Sequence, residues 1–460
     1  MPGSFSNMSA QWKTIPLGEI AEVKLGKMLD KAKHQTGRKF PYLRNINVRW
    51  GTVETEDVFE MHFEDDQVER FSLRAGDVLV CEGGEPGRAA VWNGHVAEMK
   101  FQKAIHRVRF NVPFEARLLV YLLESLAKSG GLERRFTGST IKHFTREAFI
   151  QLPIPFPPEK EQRRIVAEIE KQFTRLEAGV AALRRVQANL KRYRAAVLKA
   201  ACEGRLVPTE AELHRKLKTK NSKLETGAQL LARILTVRRQ NWQGRGQYKE
   251  PAAPAAAKLG PLPEGWTWAT FEQISERVTV GFVGSMKHEY VENGVPFLRG
   301  QNVRENRFDP EGLLHVSPEF HQKLSKSALR PGDLAVVRSG AVGVTCVIPD
   351  SLPDANCSDL VLVQRPLGFV PQYGAYYMNS LAKRHVAAGK VGVALIHFNT
   401  KSVAALAVPL PPLAEQTRIV AEVERRLSVV EELESVVSAN LQRATRLRQS
   451  ILQKAFTGEL

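Results

Sequence analysis

Apolar and polar positions divide the chain into stretches of two textures. From about Trp12 to Gln151, short β-branched runs such as Asp77-Val78-Leu79-Val80 and Ile105-His106-Arg107-Val108-Arg109-Phe110 are broken by Gly, Pro and Asn. That pattern predicts short strands and turns. Arg117 to Lys128 reads as a short helix, so this part is a mixed α/β globule. A proline boundary follows, LPIPFPP from Leu152 to Pro158, with a counterpart VPLPP from Val408 to Pro412. Proline cannot continue a helix but starts one well, so helices are expected from about Glu159 and Ala414. Beyond Glu159, Ile169, Leu176, Leu183, Leu190 and Val197 fall seven residues apart, with Phe173 and Val180 four after the first two. The second stretch gives Val423, Val430, Val437, Ala444 and Ile451, interleaved with Leu427 and Leu441. A seven-residue apolar seam with charged flanks predicts a coiled coil, against the plainer alternative of an amphipathic helix lying on its own globule. Gln187, Arg194, Glu434 and Arg448 interrupt the seam and are placed to fix register or meet a partner.

The two stretches are copies of one another. WKTIPLGEI from Trp12 echoes WTWATFEQI from Trp266, and FPYLRNINV from Phe40 echoes VPFLRGQNV from Val295. LRAGDVLV from Leu73 echoes LRPGDLAV from Leu329, and His143-Phe144 recurs as His397-Phe398. EQRRIVAEIE from Glu161 matches EQTRIVAEVE from Glu415, and Gly204-Arg205-Leu206 matches Gly458-Glu459-Leu460. Matches in one order, at offsets of 254 to 256 residues throughout, mean a duplication. Each copy is too long for a solenoid repeat and reads as a domain plus an attachment. Between the copies, Pro208 to Gly260 is Lys/Arg-rich and then Ala/Pro-rich; Leu224 to Val237 has helical character, but the stretch as a whole reads as a linker, its basic residues a solvated tether rather than a DNA arm.

Charge narrows the class of partner. The formal net charge of +17 and pI near 9.7 attract polyanions, among which nucleic acid is the commonest. Four cysteines form no CxxC and no zinc spacing, which fits reduced thiols used as small apolar residues. With no run of 18 apolar residues and no secretory pattern in Met1 to Ala10, a cytoplasmic protein is expected.

Catalytic signatures are missing from the string. Neither Gly26-Lys27 nor Gly389-Lys390 has the upstream glycine of a phosphate-cradling loop. The double prolines supply no [ND]PP[YF] element to hold a target amine, and GxSxG is absent. The acidic run Glu54 to Asp57 and the cluster Glu64-Asp65-Asp66 read as solvated loops rather than metal ligands.

Candidate DNA contacts lie at corresponding places in the copies, since Arg, Lys, Asn and Gln read base edges while Lys, Arg and backbone N–H groups hold phosphates. In the first these are Lys27, Lys31, Arg38, Arg44, Asn45, Asn47 and Arg49; in the second, Lys287, His288, Arg299, Gln301, Asn302, Arg304 and Arg307. Arg44/Arg299 and Asn47/Asn302, shared by both copies, suit scaffold or phosphate roles. Domains that read different sequences differ where they touch bases, so Asn45 against Gly300 and Arg49 against Arg304-Glu305 are the better base readers. The loops Gly83-Gly84-Glu85-Pro86-Gly87-Arg88 and Ser339-Gly340-Ala341-Val342-Gly343 read either as close backbone approaches to DNA or as plain tight turns.

With LPIPFPPEKEQRRIVAEIE, VPLPPLAEQTRIVAEVE, LRAGDVLV/LRPGDLAV, PYLRNIN/PFLRGQN, the PEGW stretch from Pro263 and the AFTGEL terminus in view, the sequence resembles the specificity (S) subunit of Type I restriction–modification systems. The resemblance covers nearly the whole chain apart from Met1 to Ala10 and the linker. It implies two tandem α/β (α+β) target recognition domains, related by an internal pseudo-two-fold repeat and separated by two long helices in an antiparallel coiled coil. The corresponding divisions are an extension (1–11), recognition domain 1 (12–158), long helix 1 (159–206), linker (207–261), recognition domain 2 (262–412) and long helix 2 (413–460). It further implies double-stranded DNA and two methyltransferase subunits as partners, with restriction subunits joining through the complex. The chain itself would then carry no catalytic residue, metal or cofactor; S-adenosylmethionine, ATP and Mg belong on the partner subunits. A helix from Glu159 to Glu203 would run about 67 Å at ~1.5 Å per residue, about two turns of duplex, which suits a ruler between half-sites. The alternatives are a stand-alone DNA adenine methyltransferase with degenerate motifs, a rod protein binding DNA without sequence preference, and a half-sized dimerising reader, although the internal duplication already supplies both halves.

Overall fold

The computed structural model describes residues 12–28, 37–140, 142–217, 225–243, 246–255, 259–286, 288–382 and 399–460. It divides into two compact units, one of residues 1–186 with 436–460 and the other of residues 187–435. The boundary falls inside both long helices, Glu159–Cys202 and Leu413–Thr457, so each unit holds one end of each.

In the first unit, a four-stranded antiparallel sheet runs in the order Ala21–Leu25, Ile105–Phe110, Val78–Cys81, Ala89–Val91. A second sheet places Arg38–Leu43 between Phe59–Phe63, antiparallel, and Lys100–Phe101, parallel. Lys13–Pro16 pairs with Pro153–Phe156, so the proline boundary is an outlying strand ending where the helix begins. The helix Ala116–Lys128 turns Leu118, Leu119, Leu122 and Leu123 into the core.

The second unit repeats this design. Its main sheet is ordered Ser275–Val280, Leu360–Pro366, Leu334–Val337, Thr345–Val347, and Thr267–Thr270 pairs with Ala407–Leu410. Its second sheet again has a parallel edge, Val295–Leu298 beside Asn356–Cys357. The duplication visible in sequence is therefore a duplication of fold.

The structure gives physical reasons for several repeated motifs. In LRAGDVLV, the Arg74 N–H donates to Asp77 Oδ2 at 2.7 Å across a turn that needs Gly76 at φ +93°; Arg330, Asp333 and Gly332 (φ +85°) repeat it in the second copy. In the EQ-R-IV motif, Gln162 donates to the Pro157 carbonyl and accepts from the Glu115 N–H, both at 2.8 Å. Gln416 bonds Pro411 and Val370 in the same way, so each glutamine ties a helix start to its globule. Gly204 (φ +66°) and Gly458 (φ +81°) end the long helices: the N–H groups of Arg205 and Glu459 reach back to the carbonyls of Ala200 and Lys454, the six-residue closure of a left-handed glycine cap.

The heptad seam is only partly a helix–helix seam. Ile169 and Phe173 from one helix, with Ile451, Leu452 and Phe456 from the other, complete the core of the first globule. Val197, Leu198, Val423 and Leu427 do the same in the second unit. Leu190, Val430 and Val437 are buried, whereas Leu176 and Leu183 are half-buried and Gln187 is exposed. Within each unit the two helices run antiparallel. Arg164 donates to the Leu460 carbonyl and Arg448 reaches Glu177 in the first; in the second, Arg194 meets Glu434 at 3.1 Å.

The stretch read as a linker carries more structure than its composition suggests. Glu210–Leu217 and Gly227–Gln240 are helices, and Leu230 and Ile234 are fully buried in the second unit's core. Thr226 and Gln229 form a reciprocal capping box, and Gly227 lies so close to the Leu410 carbonyl that no other residue fits there. Among its described basic residues, Arg233 pairs with Glu225 and Arg239 with Glu250. No helix among the described residues is long and apolar enough to cross a membrane.

Candidate nucleic-acid interface

Strand Arg38–Leu43 delivers Arg44 into a 3-10 turn, Asn45–Asn47. The Arg44 N–H donates to Asn47 Oδ1 at 2.9 Å, and Asn47 Nδ2 donates to the Asp57 carbonyl at 2.9 Å. The Arg44 guanidinium bonds that same carbonyl, pairs with the Asp57 carboxylate at 2.7 Å and lies 3.8 Å over the Phe59 ring. The second unit builds the same frame after strand Val295–Leu298. The Arg299 N–H donates to Asn302 Oδ1 at 3.0 Å, Asn302 Nδ2 to the Asp309 carbonyl at 3.0 Å, and Arg299 Nη2 to the Gly312 carbonyl at 2.9 Å. Asn47 and Asn302 are buried, so both shared pairs brace the turn.

Around this frame the first unit assembles three loops. The Arg88 guanidinium donates to the Asn45 carbonyl at 2.8 Å, and Trp50 Nε1 donates to Glu85 at 2.7 Å, which joins the glycine loop to the turn. Gly84, at φ +79°, is where a side chain would press on Asn45 Nδ2. The third loop closes through mutual backbone bonds of Thr137 and His143, and the Phe144 N–H bonds the Glu82 carbonyl, bringing the His143 ring against Gly83. Burial raises the Glu82 carboxyl above its ordinary value. Arg88, His143 and the half-exposed Ile46 were not among the residues picked as DNA contacts from sequence, although the glycine loop and the recurring His143-Phe144 pair both lie there.

The remaining candidates scatter. Lys27 is buried, donating to the His62 carbonyl and to Gln67 and lying 4.8 Å from the centre of the Phe63 ring; desolvation lowers its ammonium pKa, and it does not present itself to a ligand. Arg38 is exposed, 3.8 Å from Glu98. Arg49 is exposed but paired with Glu54, and Arg304 with Asp309, whose carboxyl that hydrogen bond holds below its usual value. His288 and Arg307 are exposed, and Gln301 projects beside the Gly312 carbonyl. Lys31 and Lys287 lie outside the described residues, as do His397-Phe398. Among the described residues no group of three or more His, Cys, Asp or Glu is placed to hold a metal ion. All four cysteines are buried, and desolvation pushes the thiols of Cys202 and Cys346 up to about 12.

The arrangement offers polar and apolar side chains on rigid turns, a surface suited to reading a ligand's edges. Residues 10–182 match the family model described as Type I restriction modification DNA specificity domain. Over 98% of its length the chain is 23% identical to the Type I restriction enzyme EcoBI specificity subunit of Escherichia coli, covering 86% of that protein. The chain is similar to the Type I specificity subunits along nearly its whole length. Another relative, the EcoDI specificity subunit of Escherichia coli, is 21% identical over 99% of this chain and 90% of its own length. The specificity-subunit fold recurs in solved structures. A chain from work titled "Structural basis underlying complex assembly and conformational transition of the type I R-M system" superposes with TM-score 0.65 at 20% identity, over 98% of this chain and 99% of that one. The HsdS subunit from Thermoanaerobacter tengcongensis gives 0.50 at 21% identity, with 98% of each chain covered.

Proposed function

We propose that this chain is the DNA sequence-specificity subunit of a Type I restriction–modification complex, each recognition domain reading one half of a bipartite double-stranded target. The observation that carries the reading is the duplication: two globules of one topology present the same braced turn with different residues inside it. The long helices set the spacer between half-sites, the first spanning about 66 Å for its 44 residues at ~1.5 Å each. They also present apolar side chains to solvent for docking of two methyltransferase subunits: Val186, Val436 and Leu447 in the first unit, Tyr193, Val429 and Leu433 in the second. Restriction subunits join through that complex. S-adenosylmethionine, ATP and Mg act on the partners, and this chain catalyses nothing alone.

Mapping N6-methyladenine across the host genome, with and without the gene, tests this. A two-part motif with a fixed gap should vanish on deletion. Methylation of DNA by the purified chain with S-adenosylmethionine and no partner would refute the assignment.

A further inference from the structure

The Arg44–Asn47 turn and the Arg299–Asn302 turn share one bracing pattern: the arginine N–H bonds the asparagine Oδ1, and the guanidinium and the asparagine amide both reach backbone carbonyls. Both outer residues are identical, and the bonds that brace them agree to about 0.1 Å: 2.9 and 3.0 Å for the arginine N–H to the asparagine Oδ1, and 2.9 Å in both for the guanidinium to a backbone carbonyl. The inner residues differ completely, Asn45-Ile46 in one copy and Gly300-Gln301 in the other. A duplicated scaffold that keeps its frame and changes its filling has varied the part that meets the ligand. Ile46 is 50% exposed at the tip of an otherwise polar turn, with Asn45 beside it and the exposed Arg49 just beyond. Its counterpart Gln301 is also exposed, and its Nε2 lies 3.3 Å from the Gly312 carbonyl. Gly312, at φ +63°, has no side chain, and one would come within 2.8 Å of that amide. The carboxamide is thus held by one N–H, leaving its other N–H and its oxygen to face outward.

Resting on the reading above, we propose that the inner pair is the specificity-determining element of each half-site: Ile46 packs on the C5 methyl of a thymine, and Gln301 reads the N6/N7 edge of an adenine. The thymine methyl is the one apolar feature a base pair shows in the major groove, and glutamine matches adenine's donor–acceptor pair there. Flanking cations hold the phosphates and leave the inner residues to discriminate.

The test uses the full-length chain and duplexes carrying the methylation-mapped site, in competition binding. Each thymine is replaced singly by deoxyuridine, which removes only the methyl. One replacement should weaken wild-type binding about fourfold, the worth of one methyl group moved out of water. Ile46→Ala should bind the unmodified duplex weaker by a similar factor and be indifferent to that same replacement. In parallel, 7-deazaadenine at one adenine, which removes the N7 acceptor and keeps the N6 amino group, should weaken the wild type by about fivefold for one lost hydrogen bond, but not Gln301→Leu. Hydrogen exchange of the strands flanking each turn, unchanged in both variants, shows that the frame is intact. The inference is overturned if wild type and Ile46→Ala respond alike to every deoxyuridine, or if wild type and Gln301→Leu respond alike to every 7-deazaadenine. If the wild type does not prefer the mapped site over a scrambled duplex, the broader functional reading fails instead.

Discussion

Arg448 is the residue whose removal should most clearly show how the second long helix is keyed to the first globule. Its Nε donates to Glu124 Oε1 at 2.9 Å, its Nη2 to Glu124 Oε2 at 3.3 Å and its Nη1 to Glu177 at 3.3 Å, while the guanidinium lies 3.8 Å over the Phe173 ring. The Glu124 side chain is 7% exposed and that of Arg448 32%. Arg448→Met keeps an aliphatic stem on Phe173 but strands a buried carboxylate. Breaking a fully buried pair costs about 3–5 kcal/mol; with the arginine one-third exposed, about 2 kcal/mol is expected here. That predicts roughly thirtyfold faster hydrogen exchange in Ala116–Lys128 and in the helix segment 436–457. Arg448→Met combined with Glu124→Met should return exchange close to wild type, because an apolar pair carries no stranded charge. Arg194 is the repeat-related residue, but it pairs with Glu434 and Glu431, which are 35% and 68% exposed. Arg194→Met should therefore change exchange by only about twofold. An Arg448→Met effect below about threefold, or a double variant as damaged as the sum of its singles, would refute the argument.

Two further perturbations probe each unit. His106 is fully buried with Nε2 2.8 Å from the Phe144 carbonyl, and desolvation pushes its imidazole below its ordinary value. The neutral ring is favoured on folding: as pH falls below the unfolded value of about 6.5, the unfolded chain takes up a proton that the folded one declines, so the first unit loses stability until pH reaches the folded pKa. Exchange from strand Ile105–Phe110 should accelerate between about pH 7 and 5 beyond its intrinsic rate change, and His106→Gln should flatten that trend; an equal slope in both proteins sinks the attribution. In the second unit, a Cβ on Gly227 would sit 2.2 Å from the Leu410 carbonyl, so Gly227→Ala should undock the helix that buries Leu230 and Ile234. Limited trypsin digestion at Arg233, Arg238 and Arg239 should quicken at least tenfold for a cost of about 2 kcal/mol, and unchanged cleavage would show that the contact yields freely.

How far the sequence disclosed this architecture depended on whether a residue's job is local. The proline boundaries, the long helices and the glycine caps at Gly204 and Gly458 act within a few residues of themselves, and duplication printed each of them twice. The linker helix was harder to read. Leu230 and Ile234 look like two apolar residues in a basic stretch until the second globule supplies the surface that buries them. The seam gave the paired helices but only part of their role: a heptad pattern reports which face is apolar, not what covers it, and each globule also buries the helix ends it holds. At the candidate interface the sequence named Arg44, Asn47, Arg299 and Asn302 by their charge and polarity, but identity between copies could not separate a bracing role from a phosphate contact. The buried amides of Asn47 and Asn302 make that separation, and in doing so turn attention to Ile46, which a search for cations and carboxamides passes over. A duplicated recognition protein is best read by subtraction: what both copies bond identically is frame, and what the frame holds outward and changes is the message.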